Sequence, residues 1–260
     1  MPNKFSCIVA DPPYGFGDSL TQSSTKRGAN ANYSTLSISA LCELPVKDLA
    51  AKDGCILCLW VPSSMLQDGL NIMKAWGFSQ RQTYVWVKVK KQPLKFINTK
   101  IKTTVDIIKN IEVPTSKNQV NKLISGFINT LDTEIGKTLD NMLSFYMGRL
   151  LRATHEICLI GINNNGIYKK LKNKSQRSVS FDTVEAHSKK PEHLQNSLDL
   201  MFLGDKLELF ARRQRAGWTC IGNQAPVTFG EDIRKSIEDL INGKVEDVVN
   251  VQESIALKQR

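Results

Sequence analysis

A polar segment follows a short apolar run at residues 8–14, which read IVADPPY. The apolar run predicts a buried strand, and open α/β sheets bind ligands at the carboxyl ends of their strands. Asp11 can accept a hydrogen bond from an amino group. Pro12 and Pro13 have a fixed φ and no N–H group, so their carbonyls can act as rigid acceptors. Tyr14 offers a flat face for an unstacked base. These four residues are the candidate catalytic group.

The residue types at positions 11–14 suit methyl transfer to a planar amine. The lone pair of a conjugated amine is delocalised into its ring. Hydrogen bonds from both N–H groups to carboxylate and carbonyl acceptors favour pyramidalisation and make the nitrogen a better nucleophile toward a sulfonium methyl. Such catalysis depends on electrostatics and positioning. The tetrapeptide alone leaves the amine open, because methyltransferases of adenine, cytosine and protein glutamine resemble one another in this motif.

Short apolar runs alternate with helical patterns along most of the chain. We predict helices at 37–51, 63–76 and 191–203, with Ser63 or Ser64 capping the second and Gly77 ending it. Nearly all-apolar strands that alternate with helices favour an α/β fold, an αβα sandwich with a mostly parallel sheet. The predicted strands are residues 5–10, 55–61, 83–89, 155–162 and 206–211.

The α/β alternation is interrupted once. Residues 1–90 and 148–230 are predicted to be the two halves of one domain, and residues 91–147, rich in Lys and Asn, to be a helical insertion. Residues 15–36 are polar and glycine-rich, which is typical of a mobile active-site loop. Residues 231–260 are predicted to be an amphipathic helical tail.

The chain carries a formal net charge of +10, and its basic residues are clustered. Nine lysines lie within residues 88–122, and five basic residues lie within residues 169–177. Such clusters suit a polyanionic partner such as nucleic acid, although lysine-rich faces are also common as solvated surfaces. The insertion is therefore a candidate for target recognition, with a dimerisation arm as the alternative.

The six cysteines lie mostly in apolar stretches and are predicted to be core thiols, with no metal site. Cys55 and Cys58 form a C-x-x-C motif, but alternation along a strand would put them on opposite faces. No apolar run approaches the roughly 20 residues that span a bilayer. The N-terminus lacks the apolar stretch of a signal peptide, so we expect an intracellular, cytoplasmic protein without membrane contact.

Several motifs, in their order along the chain, resemble the MT-A70-like adenine amino-methyltransferases. This family includes the eukaryotic mRNA m6A writer and β-class prokaryotic and phage enzymes. The resemblance covers most of residues 5–224 outside the loop and the insertion. It rests on VADPPYGF (9–16), the run ending in LWV (59–61), VWVK (85–88), GRLLRATHEICLIGI (148–162), AHSKKPEHL (186–194) and KLELFARRQRAGWTCIGNQ (206–224).

The resemblance implies a Rossmann-like class I methyltransferase fold, S-adenosylmethionine as the methyl donor and adenine as the acceptor. It implies that residues 11–14 hold the amine, with Asp11 also near the ammonium group of the donor. The matching donor-binding positions are Lys190, Glu208, Phe210, Arg212, Asn223 and Gln224. The matching substrate-side positions are Tyr14, Tyr33, Lys88, Arg152, His155 and Glu156.

The sequence departs from the family pattern after ELFAR, where Gln214 and Arg215 replace the usual His-Asn pair. The chain resembles the short prokaryotic and phage members of the family, which favours DNA over RNA as the substrate. We therefore expect the protein to act in a prokaryotic or phage-infected cell. An RNA adenosine methyltransferase is one alternative. A non-catalytic nucleic-acid-binding subunit is the other, although such subunits have lost the tetrapeptide that is intact here. A homodimer, or a heterodimer with a paralogous subunit, is compatible with the family.

Overall fold

The computed structural model describes residues 4–15, 35–91, 116–145, 150–185 and 189–244, together with the single helical residues 99, 102 and 106. The chain divides into two compact units. The predicted division at residues 90 and 147 stays a prediction. The first unit comprises Met1–Val85, Glu156–Ser178 and Glu192–Arg260, and the second comprises Trp86–His155 and Val179–Pro191.

Seven strands form a mixed, mostly parallel sheet within the described residues, which confirms the predicted fold class. The strand order is β5-β3-β4-β2-β1-β6-β7. The strand β1 pairs in parallel with both β2 and β6, β6 pairs in parallel with β7, and β2 pairs antiparallel with β4. The strands are β1 Cys7–Ala10, β2 Ile56–Val61, β3 Ser79–Val89, β4 His155–Ile162, β5 Val179–Thr183, β6 Lys206–Leu209 and β7 Thr219–Ile221.

The strands β5 and β7 were not predicted from the sequence, and the predicted start of β3 is four residues too late. The strands β5 and β7 are five and three residues long. The first part of β3 is exposed and polar. Short or polar strands carry little of the apolar periodicity on which a strand prediction depends.

The α-helices of the described residues are α1 Ile38–Cys42, α2 Leu66–Ala75, α3 Lys117–Met142, α4 Ile167–Lys170, α5 His193–Met201 and α6 Ile233–Ile241. In the predicted insertion, α3 begins with a capping box formed by Ser116 and Gln119. In the predicted tail, α6 places Ile237 and Leu240 in the core, and residues 245–260 lie outside the described part of the chain.

One predicted helix end and one predicted helix cap are wrong. The helix predicted at 37–51 ends at Cys42, because Pro45 disfavours the helical conformation in the residue before it. A short 3-10 helix, Val46–Asp48, follows. Neither Ser63 nor Ser64 caps α2, because both lie in a 3-10 turn that precedes it.

Gly77 ends α2 as predicted. Its φ is +82°, and the N–H groups of Gly77 and Phe78 donate to the carbonyls of Lys74 and Met73. This is the Schellman arrangement, which favours glycine because a left-handed backbone is strained for other residues. The indole N–H of the fully buried Trp76 donates to the Leu41 carbonyl at 2.7 Å and so ties α2 to α1.

We expect Gly77→Ala to destabilise the protein by about 1–2 kcal/mol, because alanine is strained at a positive φ. Gly126 lies inside α3 and a Cβ added there meets nothing within 4 Å. Gly126→Ala is therefore the matched control, with an expected gain of about 0.5–1 kcal/mol. Urea unfolding of both variants measures these changes. A destabilisation by both substitutions would contradict the helix-end assignment.

Candidate active site

Four parallel strands of the first unit, β2, β1, β6 and β7, end at the same edge of the sheet. The register pairs Ala10 of β1 with Leu209 of β6, and Leu209 with Ile221 of β7. The antiparallel strand β4 begins at this edge, because its Ile157 pairs with Val61 at the end of β2. Segments distant in sequence are thus brought together: residues 11–14, Glu156, and the segments that follow β6 and β7.

The backbone of residues 11–14 forms a tight turn as it leaves β1. The Tyr14 N–H donates to the Pro12 carbonyl at 2.9 Å, and the Leu36 N–H donates to the Pro13 carbonyl at 3.0 Å. Each proline carbonyl therefore already accepts one backbone hydrogen bond and retains a second lone pair. The role of these carbonyls as acceptors for a substrate amine stays a prediction.

The side chain of Tyr14 is only 4% exposed and packs in the core of the first unit. Its hydroxyl donates to the Trp60 carbonyl on β2 at 2.9 Å. Burial, and next the nearby Asp11, raise the pKa of Tyr14, so the phenol stays protonated and keeps this hydrogen bond. Tyr14 therefore anchors the turn to β2, while its predicted role as a stacking face for a base stays a prediction.

Glu208 of β6 carries a carboxylate oxygen, Oε2, that is buried and has no hydrogen-bond partner among the described residues. Its carboxylate forms a hydrogen bond with Gln195 of α5. Burial raises the pKa of Glu208, and the nearby Arg213 partly offsets this rise. A buried acceptor without a partner is costly unless a ligand supplies a donor. A ribose hydroxyl is such a donor, so this residue fits the nucleoside of S-adenosylmethionine.

The segment after β7 lies close against the segment after β6. A Cβ at Gly222 would lie 2.5 Å from the Ala211 carbonyl oxygen, so only glycine fits. The Thr228 hydroxyl accepts from the Gly222 N–H and donates to the Gly222 carbonyl, both at 2.9 Å. These contacts hold the next two residues, Asn223 and Gln224, at the surface with exposed side chains.

Phe210 is the one non-glycine residue in the described ranges with a positive φ, at 61°. It immediately follows β6, and the next residue, Ala211, resumes pairing by donating to the Ile221 carbonyl at 2.9 Å. Backbone strain of this kind is concentrated at functional sites. Arg212, also predicted to bind the donor, is exposed.

The remaining predicted site residues belong to the second unit or lie outside the residues that the structure describes. Lys88 is 8% exposed, and its ammonium lies 5.2 Å from the centroid of the Trp86 ring. Arg152 and His155 are exposed, and Lys190 is half-buried; all four belong to the second unit. Tyr33 lies outside the described residues. The roles of these five residues stay predictions.

The cysteines are all free, and five of the six are buried. Burial raises the pKa of the Cys7 and Cys220 thiols to about 12, as is typical of inert core thiols. Across the described ranges, no three His, Cys, Asp or Glu side chains come together as metal ligands would. No helix in those ranges combines the length and apolar character needed to cross a membrane.

Comparison with known proteins identifies the family of the chain. The MT-A70 family model matches residues 5–134 and 132–224. The chain belongs to the MT-A70 family. Members of this family include S-adenosylmethionine-dependent adenine-N6 methyltransferases, and the match confirms the predicted resemblance.

Relatives of two kinds cover most of this MT-A70 protein. The type II methyltransferase M.MunI of Mycoplasma sp is 23% identical over 239 residues, which is 86% of this chain and 78% of that protein. An N(6)-adenosine-methyltransferase MT-A70-like protein of Arabidopsis thaliana is 25% identical over 227 residues, 85% of this chain. A Drosophila melanogaster protein described in the same words is 24% identical over 224 residues. The chain spans about a quarter of the length of the plant and fly proteins.

The sequence prediction missed three residues that contact the candidate site residues or their neighbours: Trp60, Gln195 and Thr228. The Trp60 contact is made by a backbone carbonyl, which no side-chain pattern reveals. Gln195 is 3% exposed and lies three residues before the buried Leu198 on the same face of α5. A polar residue at such a buried helical position is a signal that could have been noticed.

We expect Tyr14→Phe to lower the free energy of unfolding by about 1–2 kcal/mol, because it removes the donor to the buried Trp60 carbonyl. Tyr168 is 54% exposed, so Tyr168→Phe is the matched control and should leave stability unchanged. Denaturant unfolding compares the two variants. Equal stability of Tyr14→Phe and the wild-type protein would show that this hydrogen bond does not anchor the turn.

The raised pKa of Glu208 predicts how stability depends on pH. The unfolded chain has the ordinary value of 4.5, so the folded protein holds this proton more tightly. The free energy of unfolding therefore falls as pH rises from that value through the raised pKa. Glutamine does not ionise, so Glu208→Gln removes this pH-dependent fall. We expect the free energy of unfolding of the variant to rise relative to that of wild type as pH increases from about 4 to neutral.

Glu231→Gln is the control for this pH dependence. The pKa of Glu231 is lowered by hydrogen bonds from Lys235 and Ser236, so its contribution is present above 4.5 and is lost as pH falls. The variant should therefore lose stability relative to wild type over the same rise in pH. Urea unfolding at several pH values measures both, and a shift of the same sign in the two variants would contradict the assignment.

Proposed function

We propose that this protein transfers a methyl group from S-adenosylmethionine to the exocyclic amine of adenine in DNA. The observation that carries the proposal is the intact tetrapeptide of residues 11–14 at the carboxyl end of β1, beside a buried Glu208 oxygen without a partner in the described chain. This arrangement supplies acceptors for an amine and, next to them, an acceptor for a ribose hydroxyl.

In the proposed mechanism, Asp11 and the Pro12 carbonyl accept hydrogen bonds from the two N–H groups of adenine. These acceptors keep the amine in place and favour localisation of its lone pair on nitrogen. When bound, S-adenosylmethionine supplies an electrophilic sulfonium methyl. The tetrapeptide has two ionisable groups, and the raised pKa of Tyr14 keeps its phenol protonated. Asp11 is therefore the residue that would take the proton released by the amine.

Several residues of the first unit would hold the donor. Glu208 would accept from a ribose hydroxyl, and the exposed amides of Asn223 and Gln224 can both donate and accept, as vicinal hydroxyls require. Phe210 and Arg212 follow β6 at the same edge of the sheet. Lys190 of the second unit would pair with the donor carboxylate, a role that rests on the match to the family motif and on the charge of an ammonium group.

DNA is the proposed substrate because of the lengths over which the relatives match. The chain covers 78% of the type II methyltransferase but about a quarter of the N(6)-adenosine-methyltransferase relatives. A formal net charge of +10 suits either nucleic acid. We further propose that the protein acts in the cytoplasm of a prokaryotic or phage-infected cell, alone, as a homodimer or with a paralogous subunit.

The test is transfer of a labelled methyl group from S-adenosylmethionine to double-stranded DNA, single-stranded DNA and RNA of mixed sequence. Digestion of the products to nucleosides should show label in N6-methyldeoxyadenosine. Asp11→Asn should reduce the rate by about 10²–10³-fold, because it removes the charged acceptor for the amine. Asp53→Asn is the control, since Asp53 is an exposed residue whose carboxylate pairs with Lys170.

Each outcome of this test decides between the alternatives. Label found in RNA alone would replace DNA with an RNA substrate. Label in cytosine or in protein would overturn adenine as the acceptor. Absence of label in every substrate, with nucleic-acid binding retained and no donor binding in calorimetry, would make the protein a non-catalytic subunit.

A further inference from the structure

Residues 212–218, the larger part of the connection between β6 and β7, are fixed on helix α5 by a cluster of charged groups. One terminal nitrogen of Arg215 donates to Asn196 and Asp199, at 2.7 Å in each case, and the other pairs with Glu192. The guanidinium also lies 5.7 Å from the centroid of the Trp218 ring.

Two further contacts fasten the same segment. Arg213 pairs with Glu192, and the Trp218 indole N–H donates to Asp199 at 2.9 Å. Lys206, at the start of β6, lies 3.5 Å from Asp199. The segment is thus held by Arg213, Arg215 and Trp218 against Glu192 and α5.

Gln214 lies between the two arginines and makes none of these contacts. Both polar atoms of its amide, Oε1 and Nε2, are buried and find no hydrogen-bond partner in the described chain. Burying an amide in this way is costly, and folded proteins rarely leave such groups unpaired without a functional reason. The fixed segment therefore keeps a donor and an acceptor side by side, out of contact with water.

This segment leaves the sheet at the edge that carries the candidate site, because it follows β6 and Ala211 still donates to the Ile221 carbonyl of β7. The Glu208 carboxyl is influenced by Arg213 and Glu192 and also by Asp11 of the tetrapeptide. Gln214 follows Arg213 directly, in the turn that begins with the strained Phe210. Its amide is thus in the part of the first unit where the donor nucleoside is expected.

We propose that the Gln214 amide recognises the adenine ring of S-adenosylmethionine through the 6-amino group and a neighbouring ring nitrogen. The inference rests on the proposed function, which makes this nucleoside part of the donor. Adenine presents a hydrogen-bond donor next to an acceptor, and a glutamine amide matches such an edge with two hydrogen bonds. Glu208 offers only an acceptor and suits a hydroxyl. The terminal nitrogens of Arg215 are occupied by Glu192 and α5, and its buried Nε offers only a donor.

The first measurement is donor binding by calorimetry together with thermal unfolding of the ligand-free protein. Gln214→Leu should weaken binding of S-adenosylmethionine by about 10-fold, the effect of losing hydrogen bonds to a buried group. The same variant should unfold at a temperature equal to or above that of wild type, because it removes a buried amide without partners. A purely structural role would produce the reverse pattern, with lower stability and unchanged affinity.

The second measurement asks which part of the nucleoside Gln214 contacts. Adenosine and purine riboside, which lacks the 6-amino group, are each tested as competitors of S-adenosylhomocysteine. Their affinities are measured for the wild-type protein and for Gln214→Leu. Wild type should prefer adenosine by about 10-fold, and the variant should bind the two nucleosides equally. Gln67→Leu is the matched control, because Gln67 is an exposed residue of α2 bonded to Asn71, and it should keep the wild-type preference.

The remaining outcomes overturn the inference in distinguishable ways. If wild type binds S-adenosylmethionine and Gln214→Leu binds it equally well, the inference fails while the proposed function stands. If the variant keeps the preference for adenosine, the 6-amino contact is excluded. If wild type binds neither S-adenosylmethionine nor adenosine, the proposed function and the inference fail together.

Discussion

The candidate site depends on one arrangement, the parallel pairing of β1 with β2 on one side and β6 on the other. Because parallel strands end at the same edge, this pairing brings residues 11–14 next to Glu208 although almost 200 residues separate them in the chain. The hydrogen bond from Tyr14 to the Trp60 carbonyl then fixes the turn against β2. Without both contacts, the tetrapeptide would be an ordinary turn.

Buried polar groups without partners are concentrated beside this edge. In the described part of the first unit, such groups include Oε2 of Glu208, the amide of Gln214, Oε1 of Gln195 and Nε of Arg215. Each lowers the stability of the ligand-free fold, because water and protein partners are both missing. Ion pairs from Arg213 and Arg215 to Glu192 and Asp199 hold this segment in place. In the proposed function, a bound nucleoside would supply the hydrogen bonds that these groups lack in the ligand-free protein.

Much of the architecture could be predicted from local pattern, and the failures have physical reasons. The strands at 55–61 and 155–162 were found almost to the residue, since uninterrupted apolar runs are informative. The helix predicted at 37–51 failed because the effect of Pro45 on its neighbour outweighed the apolar spacing. The strand β7 was missed because three residues are too few to show a period.

The sequence by itself determined the order of the motifs and the residue types at the site, and with them the family. It placed Asp11 directly after a strand and Glu208 within one, because strand signals and motif spacing are local properties of the chain. Only the tertiary structure decided that Tyr14 is buried, that Arg215 is bound to α5 and that Gln214 lacks partners. Burial and hydrogen-bond partners depend on residues far apart in the chain, and no local pattern carries that information.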